Sequence, residues 1–259
     1  LLQYELPLED YQALQSKYGP DTLLKMKEEI YANTLALGIE PNCELGGKVL
    51  SKYGIVCDPQ RMTAKKVDVY GLVKRTADKF GIPVPKIVIS NSMLPNAAAT
   101  GPSPSHGAIL ITTGLLVQLE ENEIFSVVGH EMGHLVGRDP LYLFALTGSE
   151  FLLRLYVFLP FFLLSPFLYL LIAMSVVYFL AKFFEARADL ESAMVIGQPE
   201  VLAEALTKIG FRRLQFERMP GFRIQDWLNW DPHPPVYFRV GRLERMKAPV
   251  KVRHPLIQS

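Results

Sequence analysis

The chain has 259 residues, of which 27 are Lys or Arg and 26 are Asp or Glu, so its formal net charge at pH 7 is +1. This balance gives no argument for a nucleic-acid partner, and two cysteines do not make a disulfide framework. Hydrophobic residues make up 49% of the chain, which is high for a soluble protein, and the excess is concentrated in residues 141–181. The chain begins with Leu1, so we expect a processed or truncated protein that could lack upstream membrane helices.

Residues 1–63 are predicted to form an accessory region to which we assign no chemistry. Their first half has helical periodicity that Gly19-Pro20 interrupts, and the stretch that follows is mixed and punctuated by glycine. A more regular helix with an apolar face is predicted near Ala64–Phe80, with Gly81 at its end.

Two β-rich runs follow, "KIVIS" and "GAILITTGLL", and a segment of small residues, "NSMLPNAAATGPSPSH", lies between them. Such a segment can form an exposed edge strand, whose free N–H and C=O groups accept an extended peptide as an added strand. Composition alone equally allows a plain surface loop at Asn96–Thr100.

The stretch "SVVGHEMGHLVGRDP" places His130, Glu131 and His134 on one predicted helix, which Asp139-Pro140 ends. Residues four apart on a helix differ in direction by only about 40°, so both imidazoles leave the same face. This spacing suits two corners of a zinc tetrahedron, with the glutamate beside the metal as a general base. The alternative is a buried helix whose histidines bond to backbone carbonyls.

Residues 141–181 are almost entirely apolar and carry only two charges, Glu150 and Arg154. The segment is too long for one membrane helix of roughly 20 residues and suits a hairpin of two. Its charged residues are four apart and could neutralise each other within the bilayer. Shorter arms that penetrate only partly, and an apolar hairpin in a soluble protein, are the alternatives.

The charges that flank this segment predict its orientation. Arg138 precedes the segment, Lys182 and Arg187 follow it, and the tip carries no charge. By the positive-inside tendency, both ends are predicted to be cytoplasmic.

The stretch "FFEARADLESAM" places Glu185 and Asp189 four apart on one helical face. A catalytic zinc site needs three protein ligands and one open position. Glu185 is predicted to be the third ligand, and Asp189 to bond the free N–H of a zinc histidine, which fixes its tautomer. The alternative is a solvated acidic face paired with Arg187. Cysteine ligands are not expected, because both cysteines lie far upstream.

Taken in order, the segments "PNAAATG", "HGAILITTGLL", "GHEMGH", "EARAD" and "HPPVYFRVGRLERM", with the apolar hairpin between the third and fourth, carry a family resemblance. The chain resembles the HtpX and CaaX-prenyl-protease family of integral-membrane zinc metallopeptidases over about residues 65–245. It departs from that family in its uninterrupted "AAA" and in its long amino-terminal region.

The resemblance implies one Zn²⁺ per chain and a set of site residues. Its H-P-P-x-x-x-R segment falls on His233 and Arg239, which become candidates to stabilise a tetrahedral oxyanion. The alternatives are a turn residue and an ion-pair partner of a surface acid, and His106 and His254 are expected to be ordinary polar residues. The implied zinc ligands are His130, His134 and Glu185, the implied base is Glu131, and the implied substrate-binding strand is Asn96, Ala97, Ala98 and Ala99.

The expected fold is mainly α with a small β-sheet, an α+β zincin-like catalytic domain joined to a transmembrane helical hairpin. The expected division is an accessory region at 1–63, a first catalytic part with the edge strand and metal helix at 64–140, the hairpin at 141–181, and a second catalytic part at 182–259.

The expected function is that of an integral-membrane zinc endopeptidase that cleaves membrane or misfolded proteins at the cytoplasmic face. Its expected partners are polypeptide substrates and the lipid bilayer, with no nucleic acid, and its oligomeric state is left open. The alternatives are a CaaX-type processing peptidase for prenylated proteins and a membrane scaffold that keeps zinc without turnover. Glu131 argues against the scaffold, because a structural site needs no base.

Overall fold

The fold is that of a computed structural model, which describes residues 2–19, 21–64, 66–92, 94–217, 227, 229–247 and 250. The chain divides into two compact units, Leu1–Val67 and Asp68–Ser259. It is mainly helical, as expected, with a two-stranded sheet in the first unit and a mixed three-stranded sheet in the second. His254 lies outside the described residues.

The described residues of the first unit form three α-helices and one strand pair around a small core. Its core residues are Leu14, Met26, Leu50 and Ile55. Cys43 and Cys57 form a single disulfide, with their Cα atoms 5.5 Å apart. The elements are β1 (Leu2–Tyr4), α1 (Leu8–Tyr18), α2 (Thr22–Asn33), α3 (Cys43–Lys52) and β2 (Met62–Ala64), and β1 pairs with β2 antiparallel.

The second unit begins with α4 (Val69–Phe80), a shorter helix than the predicted one. The side chain of Asp68 accepts a hydrogen bond from the backbone N–H of Gly71 at 2.9 Å, which caps the helix and fixes its start. Gly81 ends the helix with a φ of 65°, in the left-handed region that glycine adopts without strain.

Three strands form the mixed sheet, namely β3 (Lys86–Ser90), β4 (Ala97–Thr100) and β5 (Ala108–Thr112). β5 lies in the centre, parallel to β3 and antiparallel to β4. The small-residue segment therefore contains an edge strand rather than a plain loop. Thr112 holds its start, because its Oγ1 accepts from the backbone N–H of Asn96 at 2.9 Å.

After α5 (Thr113–Gln118), the central helix α6 (Glu121–Gly137) carries both histidines of the H-E-x-x-H motif. It packs against β4, α4 and two later helices, α9 (Pro166–Ile196) and α10 (Pro199–Ile209). Its start is held by a capping box, in which the Glu123 side chain accepts from the backbone N–H of Glu120 at 2.8 Å. Its end is Arg138, whose φ of 56° turns the chain sharply, so that Asp139-Pro140 both follows this helix and starts the next.

The apolar segment folds into α7 (Asp139–Tyr156), α8 (Leu159–Leu164) and α9 (Pro166–Ile196). α7 and α9 pack against each other, and α8 also packs on α9. Among the described residues, only α9 is long and apolar enough to cross a membrane, so two membrane-spanning arms are not confirmed. α7 does not qualify as a second membrane span, because its 18 residues include the charged Asp139, Glu150 and Arg154. The last two form an ion pair, with Arg154 Nε 3.6 Å from Glu150 Oε1.

Further helices in the described part of the second unit are α10 (Pro199–Ile209), α11 (Phe211–Glu217) and α12 (Val236–Leu243). α12 packs against α9, α10 and α11, and α10 packs against α6. The "HPP" segment leads into α12, and the Glu217 side chain holds that start by accepting from the backbone N–H groups of Val236 and Tyr237 at 2.9 and 2.8 Å.

Candidate metal centre

Two glycines of α6 allow α9 to cross it closely. A Cβ at Gly129 would lie 2.6 Å from Cγ1 of Ile196, and a Cβ at Gly133 would lie 3.2 Å from Cα of Ala188. Larger side chains at these positions would push the helices apart. The close crossing brings Glu185 of α9 up to the two histidines of α6.

The ligand atoms of His130, His134 and Glu185 all lie within 4.8 Å of one another. The two Nε2 atoms are 3.1 Å apart, and the carboxylate oxygens of Glu185 lie 3.4 Å from Nε2 of His130 and 3.2 Å from Nε2 of His134. A tetrahedral zinc ion bound at about 2.0–2.1 Å holds its ligand atoms about 3.3 Å apart. The spacing of the three side chains is therefore close to that of a zinc site, with a different oxygen of Glu185 nearest to each histidine.

Each histidine is oriented through its other ring nitrogen by a buried carboxylate. Nδ1 of His130 is 2.8 Å from Oδ1 of Asp189, and Nδ1 of His134 is 2.7 Å from Oδ2 of Asp139. Such partners fix the tautomer of a histidine whose Nε2 is a metal ligand. The sequence predicted that Asp189 contacts a histidine of the site. It predicted Asp139 only as the end of a helix, and not as the partner of His134.

Two buried arginines hold these carboxylates. Arg239 donates to both oxygens of Asp189, at 2.8 and 2.7 Å, and its Nη1 lies 3.2 Å from Oε2 of Glu185. Arg187 donates to Asp139 at 2.6 Å. From the sequence, Arg239 was predicted to contact either an oxyanion or a surface acid. In the structure its partners are Asp189 and Glu185. From the sequence, Arg187 was predicted to be a flanking charge or the partner of an acidic face.

The carboxylates of the cluster outnumber its guanidiniums. Burial alone would lower the pKa of His134, but the carboxylates of Glu185 and Asp139 raise it to about 10. Burial alone would raise the pKa of Glu185, but the charges of Arg239 and His134 hold it well below the usual range. The buried carboxylates exceed the buried guanidiniums by two, which suits a divalent cation. The carboxylates are Glu131, Asp139, Glu185 and Asp189, and the guanidiniums are Arg187 and Arg239.

The open side of the cluster faces a cavity of about 510 Å³. Glu131, which is 7% exposed, lines this cavity beside the histidines. Asn96 to Ala99 form one wall, so the edge strand and the metal cluster face the same space. Apolar side chains complete the wall, and they include Val127, Leu143, Leu202, Leu206 and Ile209.

His233 lies at the rim of the cavity. Its Nε2 is 3.7 Å from Oε1 of Glu185, and its side chain is 52% exposed. Asp231 holds His233 in place through its Oδ1. This oxygen accepts a hydrogen bond from the backbone N–H of His233 at 2.8 Å and lies 3.1 Å from Nδ1 of the His233 ring. Arg213 in turn donates to Asp231 at 2.6 Å. The family motif predicted His233 as a site residue. It did not predict Asp231 or Arg213, because neither residue belongs to a motif.

The remaining described histidine takes no part in this cluster. His106 lies in the short 3₁₀ turn Pro104–His106, where its Nδ1 is 3.2 and 3.0 Å from the hydroxyls of Ser103 and Ser105. This contact agrees with its expected role as an ordinary polar residue.

An H-E-x-x-H helix, a glutamate from a second helix and an edge strand around one cavity define a metallopeptidase. The model of peptidase family M48 matches residues 63–247, and the chain belongs to this family. A protein named Protease HtpX homolog from Thermodesulfovibrio yellowstonii is 30% identical over 234 residues, which is 76% of this chain and 80% of the relative. Proteins of the same name from Gemmatimonas aurantiaca and Acidiphilium cryptum are 28% and 32% identical, over 77% and 67% of this chain and 82% and 72% of their own.

The chain is therefore a metalloprotease similar to the HtpX proteases. The family assignment agrees with the resemblance read from the motifs, and the matched residues include the whole candidate metal centre.

Proposed function

We propose that the protein is a membrane-embedded endopeptidase that uses one zinc ion, held by His130, His134 and Glu185. The observation that carries this proposal is the convergence of their ligand atoms, which all lie within 4.8 Å of one another beside the cavity that these residues line. When bound, zinc supplies a Lewis acid and a means of lowering the pKa of a water molecule to about 7.

Glu131 is the proposed general base. It follows a metal-binding histidine directly in the chain and lines the cavity, so its carboxylate can take a proton from the attacking water and deliver it to the leaving amine. An intact base is also the reason to prefer a peptidase over a scaffold that only retains zinc.

Strand β4 is the proposed binding site for the substrate backbone. Asn96 accepts from the backbone N–H of Thr112 at 3.0 Å, and Ala98 lies opposite Leu110. Because hydrogen-bonded pairs alternate along an antiparallel ladder, the backbone groups of Ala97 and Ala99 point away from β5. They are therefore free to pair with an extended peptide, whose side chains would meet the apolar walls of the cavity.

His233 and Arg239 are proposed to have different roles. Nε2 of His233 faces the ligands from the rim, where it can donate to the carbonyl oxygen of a substrate as negative charge develops there. Arg239 is engaged with Asp189 and Glu185, so we assign it a positioning role rather than a direct one.

Membrane embedding rests on the apolar surface of α7 to α9. Only 17% of the most apolar window of α9 is buried, whereas the core helix of a soluble protein would be mostly buried. Large apolar side chains on this surface are widely exposed, with Tyr156 and Leu164 both at 82%. A bilayer around these helices would cover them, and membrane proteins are accordingly the proposed substrates.

The cytoplasmic orientation is kept as a proposal, and two observations bear on it. Lys182 is buried and donates a hydrogen bond to the backbone carbonyl of Trp227, and Arg187 is buried and pairs with Asp139. Both positive charges therefore stabilise the fold, whether or not they also determine the membrane orientation. The disulfide between Cys43 and Cys57 argues for the opposite side, because disulfides persist mainly in oxidising compartments.

The test of the proposed function is metal analysis and casein cleavage by the detergent-purified protein, with and without a chelator. One equivalent of zinc and chelator-sensitive cleavage are expected. Cleavage confined to prenylated peptides would favour the CaaX-type alternative. Zinc without any cleavage would favour the scaffold.

A further inference from the structure

The chain has two tryptophans, Trp227 and Trp230, and both precede His233 closely in the sequence. The ring of Trp230 stacks on Tyr178 of α9, with centroids 6.5 Å apart and planes 1° from parallel. Trp227 meets Phe238 of α12 edge-on at 5.0 Å. We call Tyr178, Trp227 and Trp230 the aromatic cluster.

Both indoles remain partly open, at 39% and 49% exposure for Trp227 and Trp230. Nε1 of Trp227 donates to the hydroxyl of Tyr237 at 2.9 Å, so its polar atom is satisfied while part of its ring is not covered by protein. Partly exposed indoles beside an apolar helix suit an amphipathic surrounding, because one part of each ring system is apolar and its N–H is polar.

The position of the cluster along α9 is fixed by Lys182. This buried side chain donates to the backbone carbonyls of Trp227 and Asn229 at 2.7 and 3.1 Å. Tyr178 lies one helical turn before it, near the end of the apolar run, and the neighbouring Phe179 is 72% exposed. The cluster therefore occupies the level at which α9 changes from apolar to charged.

Tryptophan and tyrosine are enriched where a membrane meets water, because their rings are apolar and their N–H and O–H groups are polar. We propose that the aromatic cluster lies in the interfacial layer of the bilayer and sets the height of the active site above it. This inference rests on the membrane embedding proposed above, and it deepens that proposal by naming which peptide bonds are within reach.

The height follows from helix geometry. Glu185 comes seven residues after Tyr178, and a rise of 1.5 Å per residue places it about 10 Å further along α9. An extended peptide advances about 3.3 Å per residue, so about three residues span that distance. The substrate class is therefore peptide bonds within the first few residues outside the bilayer.

The two tryptophans are themselves the probes for the test. The full chain is reconstituted in phosphatidylcholine vesicles whose acyl chains carry bromine either close to the headgroup or near the bilayer centre. We expect stronger quenching of tryptophan fluorescence by the shallow bromines than by the deep ones, and weak quenching by aqueous iodide. Trp227→Phe and Trp230→Phe, which each leave one indole, should both keep this order.

Strong iodide quenching without bromine quenching would place the cluster in water and overturn the inference, as would stronger quenching by the deep bromines. A second measurement uses single-span peptides with one cleavable sequence at increasing distances from the span. Cleavage is expected to be greatest within the first few residues, and equal cleavage at about fifteen residues would also overturn it. Chelator-sensitive casein cleavage alongside either negative result would leave the proposed peptidase intact.

Discussion

Arg187 of α9 donates through Nη2 to Oδ2 of Asp139 at 2.6 Å, and Asp139 is the first residue of α7, directly after the end of α6. The same oxygen lies 2.7 Å from Nδ1 of His134, so one guanidinium reaches the metal site through a single carboxylate. Gly137 leaves room for this contact, because a Cβ there would collide with the guanidinium. The end of the H-E-x-x-H helix is thus built as a support for its second histidine.

Glu131→Gln is expected to keep stoichiometric zinc and to lose peptidase activity by about 10²–10⁴-fold, the usual contribution of a general acid–base group. The change removes the base and leaves all three ligand side chains in place. Activity and zinc content are measured together, with Glu204→Gln on the exposed face of α10 as the matched control. Turnover at the wild-type rate in Glu131→Gln would refute the assigned role.

Glu185→Ala is expected to lose zinc during purification, because two neutral imidazoles remain. Asp189→Asn and Asp139→Asn keep their shape and lose the charge that orients a histidine, and changes of this kind cost about 10–100-fold in affinity or activity. Zinc titration should therefore show no stable zinc binding by Glu185→Ala and weakened zinc binding by Asp189→Asn and Asp139→Asn. Equal zinc retention by Glu185→Ala and the wild type would move the third ligand elsewhere.

His233→Ala is expected to lower kcat by about 10²–10³-fold with an unchanged KM and full zinc content, because it removes a donor used only as charge develops on the substrate. Asp231→Asn, which weakens the support of the ring, should give a smaller loss of kcat. Steady-state kinetics on one peptide substrate provides both parameters. A rise in KM alone would instead make His233 a binding residue.

Ala99→Pro is expected to lower kcat/KM by about tenfold, which corresponds to one hydrogen bond of about 1–1.5 kcal/mol. The proline removes an N–H that points away from β5 and leaves the ladder intact. Ala98→Pro is the control, since its N–H belongs to the ladder and its loss should destabilise the sheet itself. Zinc content and thermal unfolding distinguish the two variants, and identical behaviour would contradict the proposed register of binding.

Single cysteines at Glu121 and Glu204, in a chain with Cys43→Ser and Cys57→Ser, are expected to label from the same side of the membrane. These positions precede and follow the apolar segment, and a shared metal requires both flanks on one side. A cysteine at Leu164, in the short α8, should be shielded or should label from the other side. Sealed vesicles of known orientation also decide the cytoplasmic placement, and opposite sides for the first two positions would exclude Glu185 as a ligand.

The sequence predicted those parts of the site that depend on local geometry. The two histidines and the glutamate–aspartate pair are each four residues apart on one helix, so their common direction follows from the helical repeat. Asp139 was missed because its role depends on the left-handed turn at Arg138, which brings a residue of the next helix under His134. Arg187 was misjudged because Asp139, one of its two ion-pair partners, lies on another helix.

The apolar segment shows a second limit of sequence reasoning. Hydropathy treated residues 141–181 as two similar arms, whereas the first folds as a helix with three charged residues and the second as a much longer apolar helix. The start of α4 was placed too early for a related reason, because a single cap at Asp68 outweighs a run of acceptable helix formers. Averages over a window conceal such individual contacts.

The proposed metal ligands lie on both sides of the apolar segment, and this order has a consequence for biosynthesis. A ribosome that has released α6 has produced the two histidines and the proposed base, but Glu185 and Arg239 are still to be translated. The proposed ligand set is complete only after α7 and α9 have folded back on each other, which in a membrane-embedded protein would follow their insertion. A nascent or wrongly inserted chain would therefore lack the proposed third ligand, and with it the peptidase activity that could damage neighbouring proteins.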